Sequence, residues 1–255
     1  MNVHIDTEAE FDVCVKSVGG IKVSELFQGS PSFDNADYWF EKYNVVAELK
    51  CLSEDKSTDK YIQEKTGLII RKYLAESKIV VFGTRRMTTD ELSQACTKEI
   101  AELYRKPISG AMKKANKQIR ETKIELKVES AHGLLILVND KNTAVDPSRI
   151  NWILAETFRR DRYSSINSVL FVTLNLVGTH PATRNDLLVW IEVYRDPGFL
   201  CSQELYANLR TALHKRWEDI LSQEIKPFEV KNHDLIHELE YKITGTGGIL
   251  IDLDK

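Results

Sequence analysis

The chain has 255 residues, of which 42% are hydrophobic and 29% are charged, and its formal net charge is −3. This length suits one large domain with a substantial core, and the composition is that of a folded globular protein, which argues against a disordered chain. A slightly acidic chain does not coat nucleic acid with its whole surface, although it can carry a localised basic face.

The N-terminal sequence and the cysteines bear on the compartment. The first residues are acidic and polar, unlike a signal peptide, and no apolar run approaches the length of a membrane span. The cysteines are scattered without the C-x-x-C spacing of a zinc site, at Cys14, Cys51, Cys96 and Cys201. Because reduced, buried thiols are usual in the cytosol, we expect a cytoplasmic protein with no membrane partner and no disulfide framework.

The first elements in chain order are short. Residues 11–18 predict strands, and the segment "KVSELFQGS", residues 22–30, predicts a short helix that carries Glu25. An acidic side chain on such a helix is close in sequence to the charged hairpin that follows.

A β-hairpin is predicted from Asp37 onward. Two runs of aromatic and β-branched residues are separated by a polar connection of four residues, 41–44. If Phe40 pairs with Val45 across this connection, Asp37 falls opposite Glu48. Two carboxylates then face each other across the hairpin.

Opposed carboxylates are unfavourable unless something compensates their charge. Lys50 lies on the same face as Glu48, because side chains alternate along a strand, while like charges opposite one another destabilise a ladder. A divalent cation reverses this effect, since Mg²⁺ takes one or two carboxylates together with water and substrate phosphate. The alternative interpretation is a surface hairpin whose charges face solvent.

These residues resemble a known family. Asp37 followed by Glu48-Leu49-Lys50, among hydrophobic strand residues, resembles the PD-(D/E)xK motif of the restriction-endonuclease-like nuclease superfamily, with Ala36 in place of the proline. The resemblance implies that Asp37 and Glu48 bind Mg²⁺ or Mn²⁺ and that Lys50 assists catalysis. It further implies a restriction-endonuclease-like core over most of residues 22–175.

The resemblance also points to two further site residues. Many members carry an additional acid on a preceding helix, which implies Glu25 as a third metal ligand. A helix between the active-site strand and the next core strand often contributes a glutamine or lysine to the site. This implies Gln118 as a catalytic residue.

Two helices are predicted after the hairpin. Residues 57–77 and 88–106 show apolar positions at helical spacing, and the second begins with a Thr/Asp cap. Residues 78–84 between them read as a strand or an extended link. Because the superfamily core does not need this helical pair, we interpret residues 53–106 as a helical insertion.

A basic helix is predicted to begin after Gly110 and to run to a strand at residues 124–128. Three cations at positions i, i+4 and i+7 share one of its faces: Lys113, Lys117 and Arg120. We expect this basic stripe to bind nucleic acid. The alternative is an ordinary solvated helix face.

A continuous apolar run at residues 133–140 predicts a strand buried on both faces. The helix that begins after Pro147 ends in a second group of cations, Arg159, Arg160 and Arg162. These arginines are candidates for phosphate binding. They are also favourable at a helix C-terminus without any ligand.

The remaining elements are two strands, at residues 168–177 and 186–195, and a helix at residues 202–223 within the C-terminal segment 200–255. His233 and His237 have the spacing of two zinc ligands on a helix, but the sequence that follows lacks an obvious third ligand. The glycine-rich residues 244–248 lack the Lys-Ser/Thr of a phosphate-binding loop and predict a turn.

The predicted fold class is therefore α/β, a single domain over residues 1–255 with a mixed central β-sheet flanked by helices. The predicted function is that of a metal-dependent phosphodiesterase, an endonuclease that cleaves DNA. Symmetric double-strand cleavage implies a homodimer. Two alternatives stay open: a catalytically inactive protein of the same fold that binds nucleic acid or a protein partner, and a purely structural interaction protein.

Overall fold

The computed structural model describes residues 6–27, 33–52, 60–76, 85–87, 92–139, 147–160, 163–179, 186–195, 201–222 and 249–251. Several residues singled out in the sequence lie outside these ranges: 78–84, Arg162, His233, His237 and 244–248. Within the described ranges, no helix is both long enough and apolar enough to cross a membrane.

Helices and strands alternate through most of the chain. The five helices among the described residues are α1 Thr7–Ser17, α2 Lys60–Glu76, α3 Gln94–Glu125, α4 Pro147–Arg160 and α5 Gln203–Ser222. The strands are β1 Ile21–Lys22, β2 Tyr38–Phe40, β3 Val45–Leu52, β4 Arg85–Met87, β5 His132–Asn139, β6 Ser168–Thr179, β7 Asp186–Tyr194 and β8 Ile249–Ile251. The helix predicted at 57–77, the helix after Pro147, the strands after it and the C-terminal helix are confirmed.

The central sheet is mixed. Its six strands have the order β1-β2-β3-β5-β6-β7, and β4 pairs with β8 in a separate two-stranded sheet. Strands β3, β5 and β6 are parallel, whereas β1, β2 and β7 pair antiparallel with their neighbours. This confirms an α/β protein built on a mixed sheet.

Helices cover both faces of the sheet. Helices α1 and α5 bury one face, and α2, α3 and α4 bury the other. Strand β5 contributes to both cores, because Leu134 and Ile136 point to α1 and α5 while Leu135 and Leu137 point to α3 and α4. The apolar run predicted as a doubly buried strand is therefore confirmed.

The hairpin has the predicted register. Phe40 pairs with Val45, and Tyr38 pairs with Ala47. The connection between the strands is a short 3₁₀ helix followed by Asn44 in the left-handed conformation, at φ 51°. Asparagine tolerates this conformation, so local chemistry explains the tight turn.

The prediction of strands at residues 11–18 is wrong, because this segment belongs to α1. The Asp6 carboxylate caps the helix by accepting a hydrogen bond from Ala9 N at 3.1 Å. Phe11, Cys14 and Val15 recur at helical spacing and are buried. The helix is stabilised by this apolar stripe, which packs on the sheet and on α5.

The prediction of separate helices at 88–106 and after Gly110 is also wrong, because α3 is a single helix of 32 residues. Both Pro107 and Gly110 lie inside it, and its N-cap is Ser93, whose hydroxyl accepts a hydrogen bond from Cys96 N at 3.2 Å. Buried residues continue at helical spacing on both sides of the proline, and this packing outweighs the local preference for a break.

Because α3 is continuous, it affects two of the boundaries predicted from the sequence. The end of the proposed insertion at residue 106 falls inside α3, so the helix that carries Gln118 is continuous with the predicted insertion. The strand predicted at residues 124–128 is absent, because α3 extends to Glu125 and ends in a turn in which Lys127 has φ 57°. The next strand begins only at His132.

Candidate functional site

A cavity of about 130 Å³ lies at the open end of the hairpin, between α1 and α3. We call it the hairpin cavity, and its charged lining residues are Glu8, Asp12, Lys22, Asp37, Glu48 and Lys50. Leu49, Tyr38 and Gln118 complete the lining. All three residues of the predicted motif, together with Gln118, therefore meet at one place.

The two motif carboxylates are held by the backbone of the opposite strand. Asp37 Oδ2 accepts a hydrogen bond from Leu49 N at 2.7 Å, and Glu48 Oε2 accepts one from Asp37 N at 3.1 Å. These bonds extend the ladder beyond the last strand pair, Tyr38 with Ala47. The carboxylates are thus fixed in position by the fold, and they are adjacent as the register predicts.

Burial and charge act together on Glu48. Its residue surface is 0% exposed. Burial and, next, the negative charge of Asp37 raise the pKa of Glu48 to about 8, although Lys50 lowers it and forms an ion pair with Glu48 Oε1. Burial likewise raises the pKa of Asp37, against the hydrogen bond from Leu49 N and the charge of Lys50.

The donor set fits a divalent cation. The cavity wall carries four carboxyl groups and two ammonium groups, so it has excess negative charge when all are ionised. Among the described residues, no group of three or more His, Cys, Asp or Glu side chains has the arrangement of a metal site. The pair Asp37 and Glu48 nevertheless matches the habit of Mg²⁺, which is often held by one or two carboxylates plus water and phosphate.

Gln118 reaches the cavity from α3. Its Nε2 donates to the carbonyl oxygen of Asn35 at 3.0 Å. One turn further along the helix, Thr122 Oγ1 accepts a hydrogen bond from Ala36 N at 2.7 Å. Helix α3 therefore holds the segment that leads into Asp37, and Gln118 both lines the cavity and positions the backbone beside it.

Glu25 does not line the cavity. It lies in a 3₁₀ helix, Val23–Leu26, its side chain is half exposed, and it forms an ion pair with Lys16 at 3.1 Å. The acids that α1 contributes instead are Glu8 and Asp12. Sequence reasoning missed them because it interpreted part of α1 as strand.

A signal for these two acids was present in the sequence. The cap residue Asp6, followed by Glu8 and Glu10 in the first turn, is the pattern that begins an α-helix. A helix beginning there would have placed Glu8 and Asp12 at positions i and i+4, on one face. The acid-bearing helix before the hairpin would then have been α1.

Lys22 and Asp12 form a second charged group on the cavity wall. Lys22 Nζ donates to Asp12 Oδ2 at 2.6 Å, and Tyr38 OH donates to Asp12 Oδ1 at 2.9 Å. Tyr38 is 2% exposed. Sequence reasoning assigned no role to these three residues.

The basic stripe on α3 is partly neutralised. Lys113 is exposed, but Lys117 pairs with Asp34 at 2.6 Å, and Arg120 lies 3.6 Å from the carboxylate of Glu121. None of the three cations lines the hairpin cavity. All three cations are exposed on α3, and their binding of nucleic acid stays a prediction.

Of the three arginines predicted to bind phosphate at the end of α4, the structure describes the side chain of Arg159. Arg159 is exposed and its guanidinium contacts Glu156 at 2.7 Å, one turn earlier in the helix. The side chain of Arg160 is not described, and Arg162 lies outside the described ranges. The contact within α4 explains Arg159 without a ligand.

Comparison with known proteins adds no family. No protein-family model, curated protein or solved structure matches the chain. The restriction-endonuclease-like resemblance therefore depends on Asp37, Glu48 and Lys50 and on the order of the elements around them.

Proposed function

We propose that this chain is a metal-dependent phosphodiesterase, an endonuclease that cleaves DNA with Mg²⁺ or Mn²⁺ as cofactor. The observation that carries the proposal is the meeting of Asp37, Glu48 and Lys50 in one small cavity, with both carboxylates held by backbone hydrogen bonds. Glu48 is buried and the adjacent Asp37 is partly buried, and two such acids beside an ammonium group are costly for the fold unless they bind a ligand.

The proposed roles follow from the positions of the side chains. Asp37 and Glu48 hold the cation, which when bound supplies a Lewis acid and lowers the pKa of a coordinated water. Lys50 places an ammonium group beside Glu48, where it stabilises the negative charge that develops on a phosphate in the transition state. Gln118 keeps the segment before Asp37 in place.

The arrangement of the elements supports a restriction-endonuclease-like core. The motif lies on a hairpin, β2 and β3, whose second strand is parallel to β5. Between these two parallel strands the chain forms α2, β4 and the long helix α3, which leads into β5. Helices cover both sheet faces. This is the order of hairpin, helix, buried strand, helix and strand that the resemblance implies.

Contacts to the DNA backbone are assigned to the basic residues outside the cavity. Lys113 on α3 is exposed, and Lys117 and Arg120 are surface cations whose acidic neighbours are also exposed or partly exposed. Exposed ion pairs of this kind are weak, so phosphate can replace the carboxylate. Arg159, Arg160 and Arg162 are proposed as a second backbone contact, and cleavage of both strands would require a homodimer.

The test is cleavage of supercoiled plasmid and of single-stranded DNA with Mg²⁺, with Mn²⁺ and with EDTA. We expect cleavage that requires metal and that falls at least about 100-fold in Asp37→Asn, Glu48→Gln and Lys50→Met. Glu41→Gln is the matched control, because Glu41 is an exposed acid in the same hairpin and does not line the cavity.

Two results would contradict the proposal. Cleavage that survives in all three cavity variants would mean that the chemistry lies elsewhere in the chain. A wild-type protein that cleaves no substrate, yet binds DNA with a steep salt dependence, would identify a non-catalytic protein that uses this fold for binding.

A further inference from the structure

We propose that Lys22 is a second phosphate-binding residue of the hairpin cavity and that Asp12 is the positioning residue that holds it there. The inference rests on the proposed function, because it takes the ligand to be a phosphodiester. Lys22 comes from β1, a strand of two residues at the edge of the sheet, and the PD-(D/E)xK motif does not include it.

The backbone of β1 is tied directly to the catalytic hairpin. Lys22 pairs with Tyr38 in the ladder between β1 and β2. The next residue, Val23, donates its backbone N–H to the carbonyl oxygen of Asp37 at 2.9 Å. Lys22 therefore begins from a position fixed relative to the first metal ligand, and its side chain lines the same cavity.

The ammonium group is held while part of the side chain stays accessible. Lys22 Nζ contacts Asp12 Oδ2 at 2.6 Å, and the other oxygen of Asp12 accepts a hydrogen bond from the buried Tyr38 hydroxyl at 2.9 Å. The side chain of Lys22 remains 35% exposed. An ammonium group fixed in this way loses less conformational entropy when it contacts a ligand.

Lys22 and Lys50 act on Asp37 from different strands. Burial raises the pKa of Asp37, and the charges of Lys50 and Lys22 both oppose that effect. If a cation compensated the cavity carboxylates, the ammonium groups of Lys22 on β1 and Lys50 on β3 would remain on the cavity wall as uncompensated positive charges. Ammonium groups so placed form charge-assisted hydrogen bonds to the non-bridging oxygens of a phosphate.

The chain contains a matched ion pair outside the cavity. Lys16 on α1 and Glu25 in the 3₁₀ helix directly after β1 form this pair at 3.1 Å, so it links α1 to the segment next to the one that carries Lys22. Their side chains are 55% and 50% exposed, and neither lines the cavity. Lys16→Met therefore removes the same charge and a similar link without touching the proposed site.

The first measurement is the salt dependence of binding to a fluorescent DNA duplex in Ca²⁺, which also takes oxygen ligands. The slope of log K against log salt is negative, and each lysine that contacts a phosphate adds about 1 to its magnitude. We expect Lys22→Met to lower this magnitude by about 1 and Lys16→Met to leave it unchanged. Equal slopes for the two variants would mean that Lys22 only links β1 to α1.

The second measurement distinguishes the effect of the position of the Lys22 ammonium group from the effect of its charge. Asp12→Asn keeps the Lys22 ammonium group but releases it, so the salt slope should be retained while kcat falls about 10-fold, with a smaller change in KM. Lys22→Arg retains the charge and should recover part of the slope lost in Lys22→Met. Thermal unfolding of each variant shows whether it folds, and an Asp12→Asn protein with unchanged kcat would contradict the positioning role.

The outcomes distinguish this inference from the proposed function. If the wild type cleaves DNA and Lys22→Met changes neither the slope nor kcat, the role of Lys22 is wrong and the function stands. If the wild type does not cleave but Lys22→Met lowers the slope, the catalytic proposal is wrong and the phosphate contact stands. A wild-type protein that does not bind DNA overturns both.

Discussion

Glu48 is the residue at which the demands of folding and of the proposed function conflict most. It lies among buried apolar residues of β3, and yet it carries a carboxyl group opposite a second acid, Asp37. Burying a charge without full compensation is expensive, and Lys50 supplies only one counter-charge for two carboxyls. A cavity built in this way is destabilised in its empty, fully ionised state.

This conflict predicts a pH dependence of stability in the absence of divalent metal. The pKa of Glu48 is raised from its ordinary value of 4.5 to about 8, so the folded state binds its proton more tightly than the unfolded state. The stabilisation is fully present below pH 4.5 and is lost as the pH rises through about 8. The loss is on the order of a few kcal/mol.

Glu48→Gln provides the comparison, because the amide has nearly the same shape and does not titrate. Thermal unfolding in EDTA across this pH range should show a smaller decrease in Tm for the variant than for the wild type. Added Mg²⁺ should reduce the decrease in the wild type only. Parallel Tm profiles for the two proteins would show that Glu48 does not titrate in this range.

Among the secondary-structure elements, helix α3 holds the segment that positions Asp37. It packs on β3 and β5, and near its C-terminal end it contacts the segment that precedes Asp37. Thr122, which is fully buried, accepts a hydrogen bond from Ala36 N at 2.7 Å. The position of Asp37 therefore depends on a contact between two residues that are 86 positions apart in the sequence.

Removing this acceptor should weaken both fold and site. Thr122→Val keeps the shape but leaves the buried Ala36 N–H without its partner, which costs about 1–3 kcal/mol of unfolding free energy. Thr97→Val is the matched control, since Thr97 is a partly exposed threonine whose hydroxyl bonds the Ser93 carbonyl oxygen at the start of the same helix, and it should change stability by less than about 0.5 kcal/mol. Chemical denaturation measures both.

Cleavage activity is a second measurement, and it tests whether α3 positions Asp37. If α3 positions Asp37, Thr122→Val should also reduce metal-dependent cleavage, whereas Thr97→Val should not. Equal free energies of unfolding for the two variants would show that the hydrogen bond to Ala36 N contributes nothing to the fold. Reduced stability with unchanged cleavage would show that Asp37 is positioned by the hairpin alone.

At the scale of the whole molecule, the parallel strands require a close crossing at the start of β5. Gly133 lies so near the segment leading to β6 that an added Cβ would come within 1.8 Å of the Ser165 carbonyl oxygen. Two hydrogen bonds also join Gly133 to Asn167. The Gly133 N–H donates to Asn167 Oδ1 at 2.7 Å, and the Asn167 N–H donates to the Gly133 carbonyl oxygen at 2.8 Å. The contact aligns β5 with β6 and, through β5, with the site strand β3.

Alanine substitutions at two glycines should therefore have opposite effects. Gly133→Ala forces backbone apart in the centre of the sheet and should destabilise the protein by at least about 3 kcal/mol. Gly110→Ala in α3 meets open space and should stabilise it by about 0.5–1 kcal/mol. Denaturation midpoints measure both changes, and a neutral Gly133→Ala would contradict the close crossing.

Local sequence was sufficient for the hairpin, for β5 and for the convergence of the motif residues. The alternation of side chains in a strand and the polar connection before Val45 determine the register, and the register places Asp37 beside Glu48. These features depend on residues close together in the chain. For the same reason, the helix after Pro147 was predictable from its sequence.

Tertiary structure decided the rest of the site. Pro107 and Gly110 suggest a break, but a face with buried residues along its length, packed against the sheet and against α2 and α4, keeps α3 continuous. The approach of Asp12 and Lys22 to Asp37, the exclusion of Glu25 and the pairing of Lys117 with Asp34 all depend on how separate elements pack. Contacts between residues distant in the chain leave no local periodicity, so the sequence by itself determined the motif and the fold determined its surroundings.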